Sequence, residues 1–217
     1  MRLYDWFVNQ FIGRIEWSSL KYFFTGRYYN LTSDDIRSVL AKLSTGRYII
    51  LIRRNTHFTT YLIGTAHLLA TLIWPTKYRK AHFGFWSHAC LHLEDESLRE
   101  IDLQIIEAVG QGVKISEFWD VLNCDSICLL KPKNYSEDEF EKVIAWARTL
   151  IGRPYDNVFN IKDDKEISCV EAAYSSLLAA DPKGLPSLSE WVDRVNNLTP
   201  DMIYECGDFD VELEIRR

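Results

Sequence analysis

Ser136 to Leu150 reads as a helix, and as a helix that must bury one face. Ser136 and Glu139 have the spacing of a capping box. Phe140, Val143, Ile144, Ala147 and Leu150 recur at three- and four-residue intervals, and Gly152 followed by Pro154 ends the run. Such a helix draws its stability from packing its apolar stripe on a partner surface. Short β-rich runs upstream supply that surface. Tyr48 to Ile52 is continuously apolar, as in a strand covered on both faces. Phe85 to Leu93 alternates, with Phe85, Ser87, Ala89, Leu91 and Leu93 on one side and Trp86, His88, Cys90 and His92 on the other. Gln104 to Val109 and Ser126 to Leu130 read as further strands, Cys124 is read with the latter, and Gly110-Gln111-Gly112 is a turn.

Helical patterns flank these strands. Leu3, Trp6, Phe7, Phe11, Ile15 and Leu20 give residues 3–24 a helical spacing, and Asn30 to Leu43 reads as a helix begun by Thr32 or Ser33. Ser168 with Glu171 and Ser187 with Glu190 make two more capping boxes. Helices, then strands, then helices indicate an α+β domain with an antiparallel sheet packed by helices. No linker tract divides the chain, so residues 1–44 read as an N-terminal helical extension and 45–217 as the domain proper. A chain of 217 residues can bury a core without disulfides or metal.

Charge and cysteine usage exclude some functions. The net charge is −6, and the basic clusters at Arg53-Arg54 and Lys77 to Lys80 are short, so the sequence offers no field for nucleic acid. Five cysteines, an odd number with no C-x-x-C pair, read as reduced thiols. The first residues lack a signal-like apolar run, which makes the cytoplasm the default location. The oligomeric state is left open. Tyr61 to Trp74 is almost wholly apolar; as a helix it spans about 21 Å, short of a roughly 30 Å hydrocarbon core. It reads as a buried helix, with a peripheral lipid contact or an acyl-binding role through Tyr61 to Trp74 as the alternative.

One residue combines position with chemistry. If Ser168 is an N-cap, Cys169 opens the helix, where the dipole and free N–H groups favour an anion and can stabilise a developing oxyanion. The bland alternative is a structural cysteine. His88 and His92 lie on one strand face but about 13 Å apart, too far to share a zinc ion, so no metal or cofactor is implied.

The surroundings of Cys169 carry a resemblance. Gly152-Arg153-Pro154-Tyr155-Asp156, Phe159 and Ser168-Cys169-Val170-Glu171-Ala172 are similar to the G-x-P-Y-D…F…Y-C-S-E-L segment of the permuted NlpC-type hydrolases, the YiiX-like group. Trp86-Ser87-His88-Ala89-Cys90-Leu91 resembles that family's W-S-H-V-G-I strand, and Ile105-Ile106-Glu107-Ala108 its V-I-E-A strand. Leu198-Thr199-Pro200-Asp201-Met202-Ile203 with Phe209 resembles its closing segment. Order and spacing agree from about residue 36 to the end. Gly46-Arg47 stands where the family has Gly-Asp, Cys90 where it has Gly, Val170 where it has Ser and Ser168 where it has Tyr.

The resemblance implies a circularly permuted papain-like fold in which His and acid precede Cys. It implies Cys169 as nucleophile, His88 as base and acid, Glu107 as the group orienting His88, and Tyr155 as a hydroxyl that polarises the substrate carbonyl. It also implies a cysteine hydrolase acting on an amide bond through an acyl-thioester, with cell-wall (peptidoglycan) peptides as the leading substrate. The alternatives are a lipid acyltransferase, thioesterase or lipase, since lecithin:retinol-acyltransferase relatives share the permuted plan, and an idle binding module on the same fold.

Overall fold

The computed structural model describes residues 31–55, 58–73, 81–93, 103–156, 161, 165–195 and 198–217. The helix read over 3–24, the motif residue Phe159 and the end of the apolar run at Trp74 lie outside them. In chain order the elements are α1 (Ser33–Leu43), β1 (Ile49–Arg53), α2 (Phe58–Ile73), β2 (His88–Leu93), β3 (Gln104–Val109), β4 (Gly112–Glu117) and α3 (Phe118–Leu122). There follow β5 (Ser126–Pro132), α4 (Glu137–Thr149), α5 (Cys169–Ala180), α6 (Pro186–Val195), α7 (Pro200–Glu205) and β6 (Phe209–Ile215). The strands form one sheet in the order β4-β3-β2-β1-β5-β6, every neighbouring pair antiparallel.

β1 is central and every residue in it is buried, because the sheet is covered on both faces. Ile49, Leu51, Ala89, Leu91, Ile106 and Leu130 pack into the larger core with α4, α5, α6 and α7. Ile50, Ile52, Cys90, Ile105 and Leu129 pack on the other side with α1 and α3. Within the paired strand from His88 the alternation holds, with Ala89, Leu91 and Leu93 in the larger core and Cys90 in the other, whereas Trp86, read on the Cys90 side, lies ahead of the pairing and packs in the larger core. α1, the described part of the 1–44 extension, buries Val39 and Leu43 in the second core.

Local signals set three of the helix starts. Thr32 with Asp35, Ser136 with Glu139 and Ser168 with Glu171 all form reciprocal capping boxes. Ser187 with Glu190 does not. α6 starts at Pro186, and its early N–H groups at Ser187 and Leu188 donate instead to the Asp208 carboxylate at 3.3 and 2.8 Å. Glu190 pairs with Arg194 one turn on. Two further expectations are corrected. Cys124 lies in the turn before β5 rather than in a strand, and the chain closes on a strand, β6, which the charges at Asp210, Glu212 and Glu214 concealed.

The apolar run is a helix, α2, but it is not buried on all sides. Ile63, Leu68 and Ala70 face the protein, whereas Leu62, Leu69 and Leu72 are each about half exposed on one face. Its inner face is held unusually close. A Cβ on Gly64 would fall 2.2 Å from the Phe83 ring, and one on Gly84 would fall 2.7 Å from Asp201 Oδ2 and 2.9 Å from His67 Cβ. Gly84 N–H donates to Gly64 C=O at 3.1 Å, so the segment entering β2 lies directly on the helix. No described helix is long and apolar enough to cross a membrane.

Candidate active site

Residues far apart in sequence meet at the start of α5. Asp156 N–H donates to Ile167 C=O at 3.2 Å and Ile167 N–H to Pro154 C=O at 2.9 Å, a short parallel bridge that sets Tyr155 beside the helix entry. Val113 N–H donates to Arg153 C=O, and Gly152 N–H donates back to Val113 C=O, each at 2.9 Å, tying this loop to β4. At the entry, Ser168 N–H donates to Glu171 Oε2 at 2.6 Å and Ser168 Oγ accepts the Glu171 N–H. The box leaves the N–H groups of Cys169 and Val170, the first two of the helix, without an intrahelical partner.

His88 opens β2, and Glu107 sits opposite Cys90 on β3. His88 Nε2 lies 2.9 Å from Glu107 Oε2, and Ser116 Oγ donates to Glu107 Oε1 at 2.6 Å. With Nε2 engaged, Nδ1 is the nitrogen left for Cys169. Both His88 and the Tyr155 hydroxyl lie close enough to the Cys169 sulfur to interact electrostatically with it. The structure therefore brings together all four residues singled out in the sequence: Cys169, His88, Glu107 and Tyr155. No sequence signal pointed to Ser116, which reaches Glu107 through the β3–β4 pairing.

The electrostatics are those of an ion-pair site. Burial alone would lower the His88 pKa, but the negative charge of Cys169 and the hydrogen bonds to Cys169 and Glu107 outweigh it and raise the value to about 9. Burial would raise Glu107, yet the hydrogen bond and charge of His88, with smaller help from Ser116 and Lys114, hold it at about 2. Burial and the Cys169 charge push Tyr155 up, so it remains a neutral phenol able to donate. His92, by contrast, is a core residue whose pKa burial lowers to about 4.

A pH dependence follows from these shifts. His88 is raised from 6.5 to about 9, so its contribution is complete below 6.5 and is lost as pH climbs through about 9. Glu107 is lowered from 4.5 to about 2, so its contribution is complete above 4.5 and is lost as pH falls through about 2. The Glu107 shift reports its bond to His88, and the His88 shift reports Cys169 first and Glu107 second; the two contributions are together complete between pH 4.5 and 6.5. In His88→Gln the melting temperature should fall less steeply from neutral to alkaline pH than in the wild type; an unchanged slope would contradict the pairing.

Cysteine labelling offers a second check. Burial raises the thiol pKa of Cys124 to about 12 and lifts Cys90, Cys128 and Cys206 as well. Cys206 is buried, and its thiol donates to Ile203 C=O at 3.2 Å. Iodoacetamide should label Cys169, which opens a helix beside His88, ahead of the other four thiols, and His88→Ala should slow that reaction. Peptide mapping that finds Cys206 modified ahead of Cys169 would leave Cys169 a structural residue.

The same architecture has been seen before. The crystal structure of the metalloprotein yiiX from Escherichia coli O157:H7 matches with a TM-score of 0.54 and 15% identity, over 79% of this chain and 98% of that one. The chain shares the yiiX fold. At this identity the likeness speaks for the α+β architecture and its antiparallel sheet alone. No family model matches the chain, and neither does any curated protein.

Within the yiiX fold, the thiol of this chain is enclosed. Cys169 is 2% exposed and sits in a narrow, mainly apolar pocket lined by Ile63, Ala66, Val170, Leu198, Thr199 and Pro200. The first two come from α2, so the apolar helix forms one wall of the site. Sequence reasoning missed a further group, His67 on α2 with His82 and Glu205, which converges beyond this wall. A lone histidine inside an otherwise apolar run was its one visible signal.

Proposed function

We propose that the chain is a cysteine-dependent hydrolase or acyltransferase on a permuted papain-like, YiiX-like fold, attacking an amide or ester carbonyl. The observation that supports this best is the placement of His88 between Glu107 and a cysteine at a helix N-terminus. Glu107 fixes the imidazole through Nε2. The imidazole takes the thiol proton at Nδ1, and the thiolate sulfur forms a bond to the carbonyl carbon as the C=O π pair moves onto oxygen. The N–H of Cys169 and the Tyr155 hydroxyl face the developing oxyanion. Collapse of the tetrahedral species expels the amine or alcohol, protonated by His88, and leaves an acyl-thioester. Water or a second acceptor, deprotonated by His88, then releases the acyl group.

The yiiX neighbour is a metalloprotein. In this chain the triad is a poor metal set, because His88 commits Nε2 to Glu107 and turns its other nitrogen to Cys169. No step of the proposed reaction passes through a metal.

The resemblance to cell-wall amidases makes peptidoglycan peptides the first substrate to test. A specific observation favours the acyl-chain reading instead: Ile63, Ala66, Leu198 and Pro200 give the Cys169 pocket an apolar wall, and Leu62, Leu69 and Leu72 continue that character onto the surface of α2. Profiling the purified chain against peptidoglycan stem peptides and acyl esters of increasing length separates the two. Turnover rising with acyl length, and lowered by Leu69→Asp, is expected for the acyl reading. Selective cleavage of the peptides would restore the amidase, and turnover of neither class with Cys169 intact would remove both.

A further inference from the structure

Three side chains that the proposed reaction does not use converge beyond the pocket wall. His67 on α2, His82 in the segment entering β2 and Glu205 at the end of α7 place one ligand atom each within 4.8 Å of one another. The His67 side chain is fully buried, that of Glu205 is 4% exposed and that of His82 is 23% exposed, so the cluster meets solvent only on the His82 side.

The geometry is close to that of a coordination site. His67 Nε2 stands 3.7 Å from Glu205 Oε2, and His82 Nε2 stands 2.7 Å from Glu205 Oε1. Two donors bound at about 2.0–2.2 Å to a tetrahedral cation lie roughly 3.3–3.5 Å apart, so small side-chain adjustments close the set. The orientation of His67 is already fixed. Its Nδ1 is 2.8 Å from Thr199 Oγ1, while Nε2, inside the protein, has no hydrogen-bond partner. A ring whose far nitrogen is held by an outer partner and whose near nitrogen points at a carboxylate has the arrangement of a metal-ligating histidine. Asp201 interacts electrostatically with both histidines and adds negative charge. Its own oxygens are committed to the N–H groups of Phe85 and Trp86 at 2.7 and 3.0 Å, so it is a neighbour rather than a ligand.

We propose that His67, His82 and Glu205 form a binding site for a divalent cation of the zinc class. Two imidazoles and a carboxylate suit zinc, whereas calcium and magnesium prefer all-oxygen sets. Three protein ligands leave the fourth position to water on the His82 side. The site's place in the fold indicates its role. It joins α2, the segment entering β2 and α7, and both Ala66, next to His67, and Thr199, which holds His67, line the Cys169 pocket. The bound cation fastens the wall of that pocket.

The test uses the full chain carrying Cys169→Ala, stripped with chelator and titrated with zinc chloride by calorimetry. One equivalent should bind, melting should move to higher temperature with zinc concentration, and magnesium should not compete. His82→Ala and Glu205→Gln should each weaken binding by more than about 10-fold, since even loss of an outer partner costs 10–100-fold. In the Cys169→Ala chain itself, cobalt should give a spectrum of nitrogen and oxygen ligation without thiolate charge transfer, a readout that does not depend on the folding of the ligand variants. Absence of saturable binding, binding untouched by both variants, or a thiolate signature in the cobalt spectrum each overturns the site.

Discussion

Cys169→Ala is expected to remove turnover to the limit of detection, and His88→Ala to lower it by about 10²–10⁴-fold, on whichever substrate class the profiling identifies. Cys169 is the one cysteine that opens a helix, and no other thiol can replace it. His88 has two tasks in the proposed cycle, taking the thiol proton and returning a proton to the leaving group. Because the two residues act as a unit, the double variant should be no slower than the worse single one. Glu107→Gln should slow turnover more than it slows alkylation of Cys169: its bond at 2.9 Å orients the ring, and the amide keeps much of the shape while losing the charge. The check is steady-state rates for the four proteins beside their circular dichroism. A Cys169→Ala protein that retains a tenth of wild-type activity would falsify the covalent mechanism.

The second large effect is on stability, at Asp201. The sequence singled out the Thr199-Pro200-Asp201 segment only by resemblance, and the structure gives it a physical task. Asp201 is 2% exposed, and its two oxygens accept the N–H groups of Phe85 and Trp86, the residues that lead into His88. Asp201→Ala leaves two N–H groups without their acceptor, at a cost of about 1–3 kcal/mol each. A loss of about 2–5 kcal/mol corresponds to a melting temperature lower by roughly 5–15 °C for a chain of this size. Asp201→Asn, which keeps one acceptor, should lose less. Thermal unfolding measures both, and a shift of under about 2 °C for the alanine variant would show that water replaces the carboxylate without penalty.

What could be read in advance was what neighbouring residues decide among themselves. The capping boxes at Ser136 and Ser168, the stripe along α4 and the turn at Gly110-Gln111 are local, and they appear as read. The four candidate site residues also come together, because their segments were recognisable one by one. Legibility failed where a distant group intervened. α6 is capped by Asp208 from across a loop, so its own Ser187 was misleading. β6 carries alternating acids because it lies at the sheet edge, where only one face needs covering. α2 reads as uniformly apolar, yet only its contact with Phe83, Gly84 and the Cys169 pocket determines which leucines stay outside. The pairing of His67 with His82 and Glu205 is of the same kind, since each belongs to a different segment.

The order of strands in the sheet also sets an order of events in folding. β2, β3 and β4 follow one another in the chain and lie side by side, so His88 and Glu107 can meet through short loop closures. Cys169 meets them through the pairing of β5 with β1 and the docking of α5, contacts between distant parts of the chain that are expected to form later than the local ones. During synthesis His88 and Glu107 emerge before Cys169. On the proposed mechanism, a chain that has formed the His88–Glu107 pair holds an acceptor for the thiol proton before α5 brings the thiol to it.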